Sequence, residues 1–279
     1  MKVRSRVWLP LGGFLLFALP AASRPVQQAP GSSSPAVSRV EPAAFDPLPR
    51  RDIAVEPLSD EVLDRLVATL DGLLTHHSDP ARRAFDAEFY YRDFVERLQT
   101  RQISPAQEAR VLSVFDALAA RYPADIVALE RERKTLTALS IGKVAPDITG
   151  TDLDGVRFKL SDYRGKVVVV AFSGEWCAAC RVEYPYHRLL AELYEGRPFA
   201  LLGVSSDKDA ATAKQAKARR GLGYRTWFDG RIDGPIAAEW GVAAWPATYV
   251  LDTEGVVRFV NLRQEDLLVG VRQLMDARH

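Results

Sequence analysis

The sequence predicts an α/β chain: a mixed sheet flanked by helices in its C-terminal half, preceded by a small all-α region. Three observations carry this. Residues 58–139 place apolar side chains at helical spacing and show no strand pattern. From Gly142 onward, strand and helix signals alternate, the pattern of a sheet with helices on its faces. Within that half, Val167-Val168-Val169-Val170-Ala171-Phe172 is a continuous apolar run, as a central strand buried on both faces requires.

Composition narrows the functional classes. The 279 residues carry 37 basic and 36 acidic side chains, are 47% hydrophobic and 26% charged, and include two cysteines. Near-zero net charge argues against a general nucleic-acid binder, which carries a basic excess. The apolar content excludes a wholly disordered chain. Two cysteines make neither a multi-bridge framework nor a four-thiolate metal site. Both, Cys177 and Cys180, fall within four residues, so the pair itself is the place to look for chemistry.

Lys2, Arg4 and Arg6 precede an uncharged stretch over residues 7–22 and the small residues Ala21-Ala22-Ser23. This order predicts that residues 1–23 are a secretory signal or, if retained, a single membrane anchor. The stretch is short for a span of about 20 residues, and Pro10, Gly12 and Gly13 weaken it as a helix. Either way the rest of the chain is expected outside the cytoplasm. Residues 24–57 are rich in proline and serine and read as a flexible linker.

A helical domain is expected over residues 58–141. Val62, Leu63, Leu66, Val67, Leu70, Leu73 and Leu74 follow the polar start Ser59-Asp60-Glu61. Phe85, Phe89, Phe94, Val95 and Leu98 mark a second helix after Asp79-Pro80. Ser104-Pro105-Ala106-Gln107 combines a capping serine, proline at the first helical position and a glutamine able to reach back, with Val111, Leu112, Phe115 and Leu118 beyond it. Pro123 breaks the chain before a last helix through Leu129 and Leu136. The bundle shows no catalytic constellation. His76 and His77 are adjacent, so on a helix they point about 100° apart and cannot share a metal.

A second domain is expected over residues 142–279. A short strand lies near 157–160, the central strand at 166–172, and a helix at 181–195 with Leu189, Leu190, Leu193 and Tyr194 on one side. Another apolar strand spans 199–204. A surface helix at 208–220 carries Lys214, Lys217, Arg219 and Arg220 as a solvated face. Residues 248–251 and 256–260 flank Asp252-Thr253-Glu254-Gly255 and form a hairpin. A closing helix covers 264–275. Trp227, Trp240 and Trp245 are expected in the core or a groove.

Gly174-Glu175-Trp176-Cys177-Ala178-Ala179-Cys180 directly follows the buried strand and opens a helix. There, unpaired backbone amides and the positive end of the helix dipole stabilise a thiolate. Cys177 is therefore expected to have a lowered pKa and to act as nucleophile. Cys180, one turn on, can close the ring and release a substrate, so the pair exchanges two electrons with another dithiol. A purely structural disulfide is a weaker reading, because a four-residue loop restrains the unfolded chain little. Zinc would need two further ligands that His76, His77, His187 and His279 do not supply. A Cys/His hydrolase using His187 leaves the second cysteine without purpose.

The run Phe172-Ser173-Gly174-Glu175-Trp176-Cys177-Ala178-Ala179-Cys180-Arg181-Val182-Glu183-Tyr184-Pro185 resembles the active-site segment of the extracytoplasmic thioredoxin-like thiol–disulfide oxidoreductases, the TlpA/ResA group of the redoxin superfamily. Gly142-Lys143-Val144-Ala145-Pro146-Asp147 and Leu160-Ser161-Asp162-Tyr163-Arg164-Gly165-Lys166 resemble the group's N-terminal hairpin and the entry to its central strand. Gly241-Val242-Ala243-Ala244-Trp245-Pro246-Ala247-Thr248-Tyr249-Val250-Leu251-Asp252 resembles its cis-proline loop. The resemblance covers residues 142–279. It implies a thioredoxin-like fold and a redox-active Cys177–Cys180 disulfide acting on protein dithiols or disulfides. It further implies recycling by a membrane or envelope electron donor, without cofactor, metal or nucleic acid. Pro246 would be the cis-proline beside which a substrate strand pairs, with Trp245 and Trp176 shaping the docking surface. Glu183 would sit near the buried thiol and take the proton of Cys180; an ordinary exposed helix glutamate is the other reading of that position.

The chain departs from the group in places. Ala178-Ala179 stand between the cysteines where many relatives have Gly-Pro or Glu-Pro. Ala171 replaces the buried carboxylate of thioredoxin's central strand, and Trp245 is bulky for its position. Reduction is the expected direction, because the group mostly reduces. A peroxidase would need a Pro-x-x-x-Thr-x-x-Cys loop, and Val170 and Gly174 occupy its proline and threonine positions. A copper chaperone would need a later histidine, for which only His279 is available. A non-catalytic binding module on the same fold is the remaining alternative.

Overall fold

The computed structural model describes residues 51–76 and 80–277. The expected signal or anchor over residues 1–23, residues 24–50 of the expected linker, His77 and His279 lie outside the described residues. Among the described residues no helix is long and apolar enough to cross a membrane.

The described residues open with a segment that packs against the C-terminal helix. Arg51 to Ile53, in the last part of the proline-rich stretch, lie against the closing helix: Ile53 N–H donates to Gln273 Oε1 at 2.9 Å, and Ile53 and Val55 pack on an apolar cluster. Four helices follow, α1 (Asp60–His76), α2 (Pro80–Gln99), α3 (Pro105–Arg121) and α4 (Ile126–Leu139). The start signal of α3 works as its sequence predicts. Ser104 Oγ accepts from Gln107 N–H, and Gln107 Oε1 accepts from Ser104 N–H at 3.0 Å. Leu63, Leu74, Tyr91, Leu98, Phe115 and Leu129 fill the bundle interior. A polar cluster centred on Asp125 is sealed among them. The Asp125 carboxylate accepts from Arg83 Nη1 at 2.6 Å, Arg83 Nη2 at 3.1 Å and Tyr91 O–H at 2.7 Å.

A two-stranded hairpin, β1 (Thr149–Thr151) with β2 (Arg157–Lys159), leads into β3 (Val167–Ser173), β4 (Phe199–Ser205), β5 (Thr226–Phe228), β6 (Ala247–Leu251) and β7 (Val257–Val260). The five form one sheet in the order β5-β4-β3-β6-β7. β3 runs parallel to β4, and β4 to β5, whereas β6 is antiparallel to both β3 and β7. Helices α5 (Ala178–Leu193), α6 (Ala210–Arg220), α7 (Pro235–Glu239) and α8 (Gln264–Asp276) complete the mixed α/β architecture.

The valine run of β3 explains its central place. Val168, Val170 and Phe172 pack with Trp227, Trp240 and Tyr249 on one face; Val167 and Val169 pack with Leu190, Leu267 and Val271 on the other. Successive side chains point to opposite faces, so an unbroken apolar run serves two cores. Each fully buried aliphatic side chain contributes about 1.5–3 kcal/mol. The turn between β6 and β7 is closed by Asp252 Oδ1, which accepts from Glu254 N–H at 3.0 Å and Val256 N–H at 2.9 Å, with Gly255 at a positive φ of 78°.

The bundle touches the sheet region through α4 and α2. Leu139 joins the core beneath β3, and Gln99 Nε2 donates to the Leu139 carbonyl at 3.2 Å. Arg92 Nη1 reaches the Ala243 carbonyl at 3.4 Å, and Lys134 pairs with Glu239 at 2.8 Å. The basic residues of α6 do not behave as the wholly solvated face expected of them. Lys217 is half-buried and donates to the Tyr224 carbonyl and to Thr226 Oγ1, while Arg220 pairs with Glu175 at 2.8 Å. Burial pushes the Lys217 ammonium down to about 8.

Candidate active site

Sheet register brings the sequence-predicted residues together. Phe172 of β3 pairs with Ala247 of β6 across an antiparallel ladder. The chain leaving β3 toward Cys177 and the chain entering β6 from Trp245 therefore meet at one edge. The Trp245–Pro246 peptide bond is cis. Ser206 N–H donates to the Ser173 carbonyl at 2.9 Å, which extends the β3–β4 pairing by one more bond and brings a third loop, residues 205–207, to the same place.

Cys177 and Cys180 are joined as a disulfide, with their Cα atoms 5.3 Å apart. Cys177 is the N-cap of α5, and its Sγ accepts the Cys180 N–H at 3.1 Å. A sulfur in this position already holds one of the amide donors that a helix start leaves unpaired. The same donor and the helix dipole are available to a thiolate. Cys180 is fully buried, whereas Cys177 keeps 6% exposure. The burial follows from helical spacing: Cys180, Glu183, Tyr184, His187 and Leu190 form the inward face of α5.

Two indoles, one from the residue before Cys177 and one from the residue before Pro246, come together here. Trp176 is 51% exposed, and its ring centroid lies 5.8 Å from that of half-buried Trp245. A single residue holds both. Trp176 Nε1 donates to the Ser206 carbonyl at 3.3 Å, and Trp245 Nε1 donates to Ser206 Oγ at 3.0 Å. Gly174 is required for this arrangement, since a Cβ there would overlap the Trp176 indole. Beside Trp176 opens a groove of about 570 Å³, reaching Ile232. On the other side of Pro246 a cleft of about 380 Å³ reaches Glu96 and Glu132 of the bundle. Burial raises the Glu132 carboxyl to about 7, with Arg131 opposing.

The turn carrying Cys177 is pinned by residues that sequence reasoning did not single out as functional. Glu175 N–H donates to Asp207 Oδ1 at 2.8 Å, and Arg181 Nη1 donates to the Glu175 carbonyl at 2.6 Å. The Glu175 carboxylate is held below its ordinary value by the Arg220 hydrogen bond, with the charges of Arg219 and Arg181 adding, against opposing desolvation. The Glu175 acid, two residues before Cys177, is thus neutralised by cations, which preserves the positive field at the helix start. A signal for Asp207 was available: Ser205-Ser206-Asp207 ends the strand parallel to β3, where polar residues face the same edge.

Glu183 is not an exposed helix glutamate. It is 4% exposed, and its Oε2 accepts the Gln264 N–H at 2.8 Å, at the start of α8. It lies three residues from Cys180 on the same helix face. His187 is buried beneath it, with Nδ1 3.4 Å from the Tyr224 hydroxyl. Trp227 and Trp240 are core residues, whereas Trp245 borders the site.

Residues 141–260 match the AhpC/TSA family. Over 134 residues the chain is 33% identical to thiol-disulfide oxidoreductase ResA of Geobacillus thermodenitrificans (strain NG80-2), an alignment covering 47% of this chain and 76% of the relative. The same protein from Geobacillus kaustophilus (strain HTA426) is 34% identical over equal shares. The crystal structure of the thioredoxin domain of a thiol-disulfide oxidoreductase from Bacteroides vulgatus superposes with a TM-score of 0.46 at 29% identity, covering 50% of this chain and 99% of that one. The matched segment contains the cysteine pair, the cis-proline and the strands that hold them. The chain therefore belongs to the ResA-type thiol–disulfide oxidoreductases of the AhpC/TSA redoxin family, with a thioredoxin-like domain in its C-terminal half.

Proposed function

We propose that the protein is an extracytoplasmic protein-disulfide reductase, with Cys177 as nucleophile and Cys180 as resolving thiol. The observation that carries the reading is the Cys177 sulfur at the N-cap of α5, accepting an amide N–H and keeping the pair's only exposure. In the reduced enzyme the Cys177 thiolate attacks a substrate disulfide, forms a mixed disulfide and expels one substrate thiolate. Cys180 then loses its proton and attacks Cys177 Sγ; the Cys177–Cys180 bond forms and the second substrate thiolate leaves. Glu183, buried on the Cys180 face of α5, is the proposed acceptor of that proton. The backbone at Trp245–Pro246 is the proposed pairing edge for a substrate strand, with Trp176 forming the opposite wall.

Several parts of the reading rest on the family and the sequence. The reducing direction follows from the resemblance. Placement outside the cytoplasm, with residues 1–23 as signal or anchor, rests on the basic–apolar–small order of that segment. Recycling then calls for a membrane or envelope dithiol donor. Residues 58–141 are proposed as a helical domain and residues 142–279 as the redox domain.

Equilibration of the pair against glutathione and dithiothreitol buffers tests the direction. A reductase is expected near the potential of thioredoxin, about −270 mV; a value near that of DsbA, about −120 mV, would assign the protein to oxidation.

A further inference from the structure

The turn between β7 and α8 carries a guanidinium that neither the motif nor its chemistry calls for. Arg263 is the N-cap residue of α8, and its side chain turns back toward the start of β6. Nη2 donates to the Pro246 carbonyl, and Nη1 donates to Thr248 Oγ1 at 3.0 Å and to the Leu262 carbonyl at 3.2 Å. Nη2 also lies 3.3 Å from Asn261 Oδ1. The guanidinium therefore ties the cis-proline loop to the closing helix.

Its own backbone is held as firmly. Asn261 and Gln264 have φ of 57° and 50°, left-handed values that non-glycine residues seldom adopt. Such a turn persists only where its surroundings over-determine it. Here Asn261 N–H donates to the Thr248 carbonyl at 2.7 Å, and Gln264 N–H donates to Glu183 Oε2 at 2.8 Å. The carboxylate next to Cys180 thus anchors the residue after Arg263, and Arg263 anchors the carbonyl of Pro246. Burial depresses the Arg263 guanidinium, and the charges of Glu183 and Glu96 oppose that depression.

We infer that Arg263 is a positioning residue for disulfide exchange: by holding the Pro246 carbonyl it sets the backbone edge against which a substrate strand docks. The inference rests on the docking role proposed above for that edge. It concerns binding of extended substrates more than the sulfur chemistry, because the hydrogen bonds of Arg263 go to the cis-proline loop and its own turn and to neither cysteine.

The test compares wild type, Arg263→Gln and Arg263→Lys on two disulfides. Insulin presents a chain that pairs with the loop; dithiobis-nitrobenzoate needs only an accessible Cys177. For insulin, Arg263→Gln should raise KM about five- to tenfold with kcat within about twofold, as loss of a charged hydrogen bond to a binding edge predicts. The aromatic disulfide should react at the wild-type rate, and Arg263→Lys, which keeps one donor on the loop, should recover part of the insulin KM. Should the glutamine variant fail to fold, the lysine variant carries the comparison, with a KM between wild type and twice to fivefold higher. Equal losses on both disulfides, or an unchanged insulin KM in an active variant, would overturn the inference. A wild type inert toward both disulfides would instead overturn the exchange reading on which it rests.

Discussion

The Glu183 carboxylate, one helical turn beyond the buried sulfur of Cys180, accepts the Gln264 N–H at 2.8 Å and so fastens the active-site helix α5 to the start of α8. This bond gives Glu183 a structural task besides the proton transfer proposed for it, and substitution separates the two. Glu183→Gln keeps an oxygen for Gln264 but removes the basic carboxylate. It should slow turnover about 10- to 100-fold, the range of a general-base contribution, with little change in melting temperature. Glu183→Ala should lose stability as well, since it leaves a buried amide without its acceptor at about 1–3 kcal/mol. Steady-state rates and thermal melts check both; a glutamine variant with full turnover and an unchanged pH–rate profile would leave only the structural task.

On the cis-proline side, the Trp245 indole is fixed by Ser206 Oγ and its ring centroid lies 5.8 Å from that of Trp176, the residue before Cys177. Trp245→Thr should open that side and raise the rate at which iodoacetamide alkylates reduced Cys177 several-fold at neutral pH. Stopped-flow alkylation of the reduced proteins is the measurement. An unchanged rate would show that Trp245 does not limit access.

His187 is buried, its Nε2 has no partner among the described residues, and burial lowers its pKa to about 4, with the charge of Arg263 adding. An unfolded histidine takes up a proton near pH 6.5, well before the folded one does. The unfolded state therefore binds more protons between those values, so the contribution is complete above pH 6.5 and drains away as pH falls toward 4. Between pH 7 and pH 5 wild type should lose about 2 kcal/mol more than His187→Leu in urea unfolding. Equal losses would mean that His187 titrates normally.

The sealed group in the bundle makes a prediction independent of the redox chemistry. Asp125→Ala strands Arg83, whose side chain is 11% exposed, without its counter-charge and removes the acceptor of Tyr91. Removing one partner of a buried ion pair costs about 3–5 kcal/mol. Denaturant unfolding should show a loss of that size, whereas Asp64→Ala at the exposed Arg110 pair should cost under about 1 kcal/mol.

Much of the site was legible before the structure because its parts are local. The valine run, the cysteine pair at a helix start and the Trp245-Pro246 dipeptide each lie within a few neighbouring residues, and antiparallel pairing of β3 with β6 brings them together. The rest depends on tertiary proximity. Asp207 meets Glu175 across 32 positions and Arg263 meets Pro246 across 17. Lys217 and Arg220 look like a solvated helical face until folding sets Tyr224 and Glu175 beside them. Glu183 shows the same limit, since helical spacing assigns it a face of α5 but not the Gln264 amide that occupies it. Hydrogen-bond partners distant in sequence leave no periodicity to detect.

The order of attack is tested most directly by trapping. Reduced Cys180→Ser, exposed to a disulfide-bonded protein substrate, should accumulate a mixed disulfide mapped by mass spectrometry to Cys177, while reduced Cys177→Ser should form none and reduce nothing. A stable adduct on Cys180 in Cys177→Ser, with none on Cys177 in the partner variant, would contradict the assignment of the helix-capping sulfur as the nucleophile.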